Sequence, residues 1–83
     1  MRSAEQLRAE VTEIVAEVAE VGVEEVAPDA VLEDLGVDSL GGLRIVAAVE
    51  KKYGLIISEQ EIGKIRTMPD ILELVERHSS EVE

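Results

Sequence analysis

The sequence predicts an all-α fold, a four-helix bundle of three main helices and one short helix, with a long first loop. Two observations carry this prediction. Apolar residues recur at helical spacing in separate stretches, and capping residues stand where each stretch begins. The composition agrees: 46% of the 83 residues are hydrophobic, and Tyr53 is the only aromatic. A core built from these residues is therefore aliphatic. The length suits one small domain spanning residues 1–83, within the usual range of about 50 to 250 residues.

The first helix is expected from Ser3 to Val21. Leu7, Val11, Ile14, Val15 and Val18 fall on one face. Ser3 and Gln6 have capping-box spacing, and Gly22 suits a C-terminal stop. Its many valines are modest helix formers, so burial must hold this helix. Glu10, Glu13, Glu17, Glu20 and Glu24 supply its polar side.

Val23 to Asp38 is read as a long loop, punctuated by Pro28 and Gly36 and anchored by Val23, Val26, Leu32 and Leu35. The second helix is expected from Ser39 to Tyr53, with Asp38 as N-cap and Gly54 as stop. Leu40, Leu43 and Ala47, with Val46, form its expected inward stripe. Gly41 and Gly42 are unusual in a first turn, and each costs about 1 kcal/mol relative to Ala. They predict a weak helix start or a place where something approaches closely.

Leu55, Ile56 and Ile57 read as core. Ser58 and Glu61 open a short helix to Lys64. Thr67, Pro69 and Asp70 open the last helix, which turns Ile71, Leu72, Val75 and Leu74 inward and ends near His78. The tail from Ser79 to Glu83 is expected to fray.

Charge and residue inventory exclude several functions. Nineteen acids against eight bases give a net charge of −11. Such a surface does not suit nucleic acid or an anionic membrane. It suits partners with basic patches. No Cys and a single His leave no thiolate nucleophile, no disulfide and no multi-histidine metal site. No apolar run reaches the roughly 20 residues of a membrane span. Five Glu in the first 20 residues are unlike a targeting peptide. A cytoplasmic, stand-alone, monomeric chain is expected.

The segment Leu35-Gly36-Val37-Asp38-Ser39-Leu40 is the notable local feature. It sets a hydroxyl at the first residue of a helix, where free N–H groups and the helix dipole tolerate an attached phosphate. Asp-Ser is also a common helix start, so Ser39 could be cap and nothing more. Catalysis by Ser39 needs a base, and His78 is expected exposed near the C-terminus. The spacing of a hydrolase elbow is missing. Asp29, Glu33, Asp34 and Asp38 lack EF-hand spacing and read as a solvated acidic face.

With these motifs in place, the chain from Leu7 to His78 resembles acyl carrier proteins, the phosphopantetheine-bearing carriers of fatty acid and polyketide synthesis. Gly36-Val37-Asp38-Ser39-Leu40 matches that family's attachment motif. Leu32-Glu33-Asp34-Leu35 leads into it, and Val49 to Gly54, Ile57 to Glu61 and Thr67 to Ile71 resemble later landmarks. The resemblance implies a 4'-phosphopantetheine moved from coenzyme A onto Ser39 by a phosphopantetheinyl transferase, with Asp38 and Leu40 flanking the site. It implies a non-enzymatic carrier of thioester-bound acyl groups, serving acyltransferases, ligases and synthases with basic patches. Val46, Ala47, Leu43 and Ile62 are candidates to line an acyl shelter, with ordinary core packing as the alternative.

The chain departs from the family's pattern in its second helix. Arg44, Lys51 and Lys52 stand against Glu50 alone between Ser39 and Ser58. The partner-facing helix therefore has an unusual sign, and this change, with Gly41 and Gly42 after the Ser, points to a specialised pathway carrier. Two alternatives remain: an aminoacyl or peptidyl carrier, against which Gly36-Val37 leans, and an unmodified acidic helical adaptor.

Overall fold

The computed structural model describes residues 3–82, with side chains through His78. The first helix, α1, runs Ala4–Ala19 and begins where the sequence indicates. The Ser3 hydroxyl accepts the Gln6 N–H at 3.1 Å. Its end differs from expectation. Glu20, not Gly22, takes the left-handed conformation at φ 60° and turns its N–H back to the Ala16 and Glu17 carbonyls. The last carbonyls are thus satisfied two residues early. Gly22 instead precedes a short 3₁₀ turn, Val23–Glu25, and donates its N–H to the Glu25 carboxylate at 2.8 Å.

The long loop contains that turn and a second one, Leu32–Leu35. Val26 and Leu32 are buried anchors as expected, and Leu35 is half-buried. Val23 is not an anchor, because 49% of it is exposed. The loop is fixed by backbone pairing to the start of the last helix. Leu32 donates to the Arg66 carbonyl at 2.9 Å, and Met68 donates to Ala30 at 3.0 Å. Between these bonds lies an antiparallel bridge pairing Val31 with Thr67.

The second helix, α2, runs Ser39–Tyr53 and stops at Gly54, whose φ of 67° is one that a side chain disfavours. Its inward face is rotated from the expected stripe. Gly41, Ile45, Val46 and Val49 are buried. Leu40 and Leu43 are 58% and 50% exposed, and Ala47 is exposed too. The row 41, 45, 49 is an i, i+4, i+8 row as regular as the Leu40 row. Ile45 and Val49, each 1% exposed, bury their β-branched side chains on this row.

After α2 the chain is extended, and its side chains alternate. Leu55 and Ile57 are buried, whereas Ile56 is 87% exposed and is not core. Glu50 holds this segment by accepting the Ile57 N–H at 2.8 Å. The short helix α3, Glu59–Ile62, is smaller than expected and opens with the predicted Ser58–Glu61 capping box. The last helix, α4, runs Met68–Val82. It continues past His78, where the sequence placed its end, and the tail expected to fray reaches Glu83, which lies outside the described residues. Thr67 and Asp70 cap it reciprocally, at 3.1 and 3.3 Å.

The helices α1, α2 and α4 surround one aliphatic core, and α3 rests on α2. Met68, Ile71, Leu74 and Val75 are buried from α4, with Leu72 half-buried. Tyr53 ties α2 to α1 by donating its hydroxyl to Glu10 at 2.8 Å.

Candidate functional site

The site begins with Gly36. Its φ of 82° is left-handed, a conformation that costs a side chain roughly 1 kcal/mol or more. The turn it makes ends the second 3₁₀ segment and sends Val37 N–H back to the Leu32 carbonyl at 3.0 Å. Asp38 then sits in extended backbone as N-cap of α2. Its carboxylate accepts the Gly41 N–H at 2.8 Å, and its carbonyl accepts the Gly42 N–H at 2.8 Å.

Ser39 is the first residue of α2 and is exposed. Asp38, not Ser39, does the capping, and the Ser39 hydroxyl makes no hydrogen bond among the described residues. Leu40 is exposed beside it.

Ser39 lies on the rim of a cavity of about 650 Å³. Val37, Leu43, Val46, Ile62 and Ile65 give it aliphatic walls. Of the expected lining, Leu43, Val46 and Ile62 are present, and Ala47 is absent. Arg66 is the single base among the lining residues, opposed by Glu33 and Asp38. Sequence reasoning did not find Val37, Ile65, Arg66 or Gly63, because all four lie outside the helices, where no periodicity marks a face.

The two adjacent glycines of α2 differ. A Cβ on Gly41 would come within 3.0 Å of Val37 and 3.3 Å of the Asp38 carboxylate, so Gly41 lets the loop pack closely, while its 3.5 Å contact with Val18 of α1 would be ordinary. A Cβ on Gly42 would meet nothing within 4 Å.

His78 is not with Ser39 and is not exposed as expected. Its Nε2 lies 2.8 Å from the Glu61 carboxylate, and only 16% of its side chain is exposed. Arg77 approaches the same carboxylate at 3.7 Å. The His78 hydrogen bond holds the Glu61 carboxyl below the usual glutamate range, against a smaller opposing effect of burial. His78 is thus engaged by Glu61 and not by the Ser39 hydroxyl. Asp29, Glu33, Asp34 and Asp38 are all exposed. Among the described residues no group of three His, Cys, Asp or Glu could hold a metal ion. None of the described helices is long and apolar enough to cross a membrane.

An exposed serine, freed from capping duty and opening a helix beside an aliphatic cavity, suits covalent attachment of a long group. Comparison with known proteins decides the family. Residues 9–76 match the family model for the phosphopantetheine attachment site. The chain belongs to the acyl carrier protein family. It is 31% identical over 81 residues to an acyl carrier protein of Rickettsia bellii, covering 96% of this chain and 100% of that one. It is 43% identical over 72 residues to polyketide-8 synthase acyl carrier protein 2 of Streptomyces avermitilis, covering 86% of this chain and 78% of that one. The crystal structure of an acyl carrier protein from Thermotoga maritima superposes with a TM-score of 0.84 at 29% identity, covering 96% of this chain and 94% of that one.

As a member of this family the carrier takes a covalently attached 4'-phosphopantetheine. The residues present fit that group. The hydroxyl is accessible, and the N–H groups of Ser39 and Leu40 have no acceptor among the described residues. Those N–H groups and the helix dipole favour a phosphodiester at this position.

Proposed function

We propose that Ser39 carries the 4'-phosphopantetheine and that the chain is a discrete acyl carrier of a polyketide, fatty acid or other specialised lipid or metabolite pathway. One observation supports this above the others: the exposed, unbonded Ser39 hydroxyl opens α2 on the rim of the aliphatic cavity. The transferase supplies the base for this step. The Ser39 Oγ attacks the coenzyme A diphosphate, an Oγ–P bond forms, and adenosine 3',5'-bisphosphate leaves. The hydroxyl proton passes to the transferase. The attached group supplies the thiol that a chain without Cys does not have, and acyl units are held on it as thioesters.

The chain's own residues orient and shelter. Asp38 fixes the first turn of α2 so that Ser39 faces solvent. The cavity walls at Leu43, Val46 and Ile62 offer an apolar refuge for an acyl group. Exposed Leu40 and Leu43 offer apolar contacts to partner enzymes, and Glu33, Asp34 and Asp38 meet the basic patches of those partners. Arg44 on the same helix gives the partner face a mixed sign. The carrier acts as a single cytoplasmic domain.

Intact mass after incubation with coenzyme A and a broad-specificity phosphopantetheinyl transferase tests the proposal. One added phosphopantetheine mapping to Ser39 is expected. Ser39→Ala should stay folded and gain nothing. A Ser39→Ala protein that still gains the mass would overturn the assignment. An unmodified wild-type chain, with the transferase active on a control, would favour the adaptor reading.

A further inference from the structure

A glycine in the interior of a helix weakens it, and it persists where something requires it. The usual requirements are a positive φ or a close neighbour. Gly42 has neither. It lies inside the right-handed helix α2, and a Cβ there would meet nothing within 4 Å. It does line the cavity beside Ser39. Gly63, at the end of α3, lines the same cavity, and a Cβ there would make only ordinary contacts, the nearest at 3.6 Å.

We propose that Gly42, together with Gly63, sets the width of the cavity, and that the cargo it selects is broader than a straight methylene chain: a branched or ring-bearing acyl group. This rests on the reading that Ser39 carries the arm. Gly42 of α2 and Gly63, which follows α3, line the cavity without side chains. A thin linear chain leaves gaps against bare walls, and a gap of even 0.5–1 Å forfeits about a quarter to a half of a dispersion contact. A branched or cyclic group fills them. Leu43, Val46, Ile62 and Ile65 complete the aliphatic surround, so the breadth gained is apolar.

The test uses the full chain loaded through the transferase with hydrolysis-resistant amide analogues of two cargoes equal in carbon count, heptanoyl and cyclohexanecarbonyl. Methyl NMR shifts of Val37, Val46, Ile62 and Ile65 are read against the unacylated holo protein. In wild type, cyclohexanecarbonyl should move these methyls more than heptanoyl. Gly42→Leu should return the cyclohexanecarbonyl shifts to the unacylated positions. Gly42→Ala is the smaller step. It should raise Tm by about 4–8 °C, because the helix gains and nothing clashes, and it should reduce the cyclohexanecarbonyl shifts only partly.

Equal shifts from both cargoes, unchanged by Gly42→Leu, would overturn the width inference while leaving Ser39 and the cavity in place. A failure of Gly42→Ala to stabilise would overturn it as well, since the glycine would then have a structural reason. No methyl movement with either cargo, on protein whose mass shows loading, would refute occupancy of the cavity and the width inference together. No mass gain would refute the Ser39 reading itself.

Discussion

Asp38 stands immediately before Ser39, so its loss could act through the helix or through the reaction. The structure separates the two. The Asp38 carboxylate accepts the Gly41 N–H at 2.8 Å. Removing an Asp N-cap costs about 0.5–2 kcal/mol. The first turn of α2 also carries Gly41 and Gly42, which together cost about 2 kcal/mol relative to two alanines. A turn this weak has little to offset a lost cap, so Asp38→Ala should fall in the upper half of the range, about 1–2 kcal/mol. For a domain of this size that is a Tm loss of about 4–8 °C per kcal/mol. Asparagine keeps the accepting oxygen, so Asp38→Asn should melt near wild type. Thermal unfolding by far-UV circular dichroism reads stability. Amide exchange at Gly41 and Gly42 reads the turn, and it should quicken about tenfold in the alanine variant, as 1.4 kcal/mol implies. Both variants are then offered coenzyme A and the transferase. Loading that fails in Asp38→Asn, with stability intact, would assign Asp38 a recognition role beyond capping. An alanine variant that melts with wild type and exchanges no faster would refute the capping argument.

Glu61 and Ile56 invite two further experiments. The Glu61 carboxyl is held below its usual range by His78, so its ionised form stabilises the native state. That contribution is full above the ordinary glutamate range and is lost as pH falls through the lower native value. Urea midpoints of wild type and Glu61→Gln should therefore differ at neutral pH and converge in acid, and a constant gap would contradict the assignment. Ile45→Ala should cost about 2–5 kcal/mol, because Ile45 is nearly inaccessible. Ile56→Ser should stay within about 0.5 kcal/mol. Equal losses for the two would show that the burial pattern is wrong.

Much of this was legible in the sequence, for identifiable reasons. Caps depend on neighbours within a turn, so Ser3, Asp38, Ser58 and Thr67 announced all four helix starts. The attachment motif is equally local. The inward face of α2 was not legible, because Leu40, Leu43, Ile45, Val46, Ala47 and Val49 surround the helix with apolar residues. Gly41 carries no hydrophobic signal, although it marks a close approach of the Val37 side chain to α2. The run Leu55-Ile56-Ile57 looked uniformly core, but an extended backbone points its middle residue away. The His78–Glu61 contact spans 17 residues, and no local pattern encodes it. The cavity is likewise a product of tertiary packing, since its lining comes from the loop, from α2 and from the chain around α3.

The pairing of Val31 with Thr67 gives the carrier a mechanical division. Flanked by the Leu32–Arg66 and Met68–Ala30 bonds, it staples the approach to Ser39 onto the first turn of α4. Glu50 grips Ile57 at the other end of the intervening segment. Residues 58–65 run between these two posts, tied to α4 at their middle by the Glu61–His78 contact at 2.8 Å, and they carry Ile62 and Gly63, one wall of the cavity. The wall and the approach to Ser39 are held by separate contacts. The anchor point of the arm would then keep the same address for every partner enzyme, whatever the guest inside.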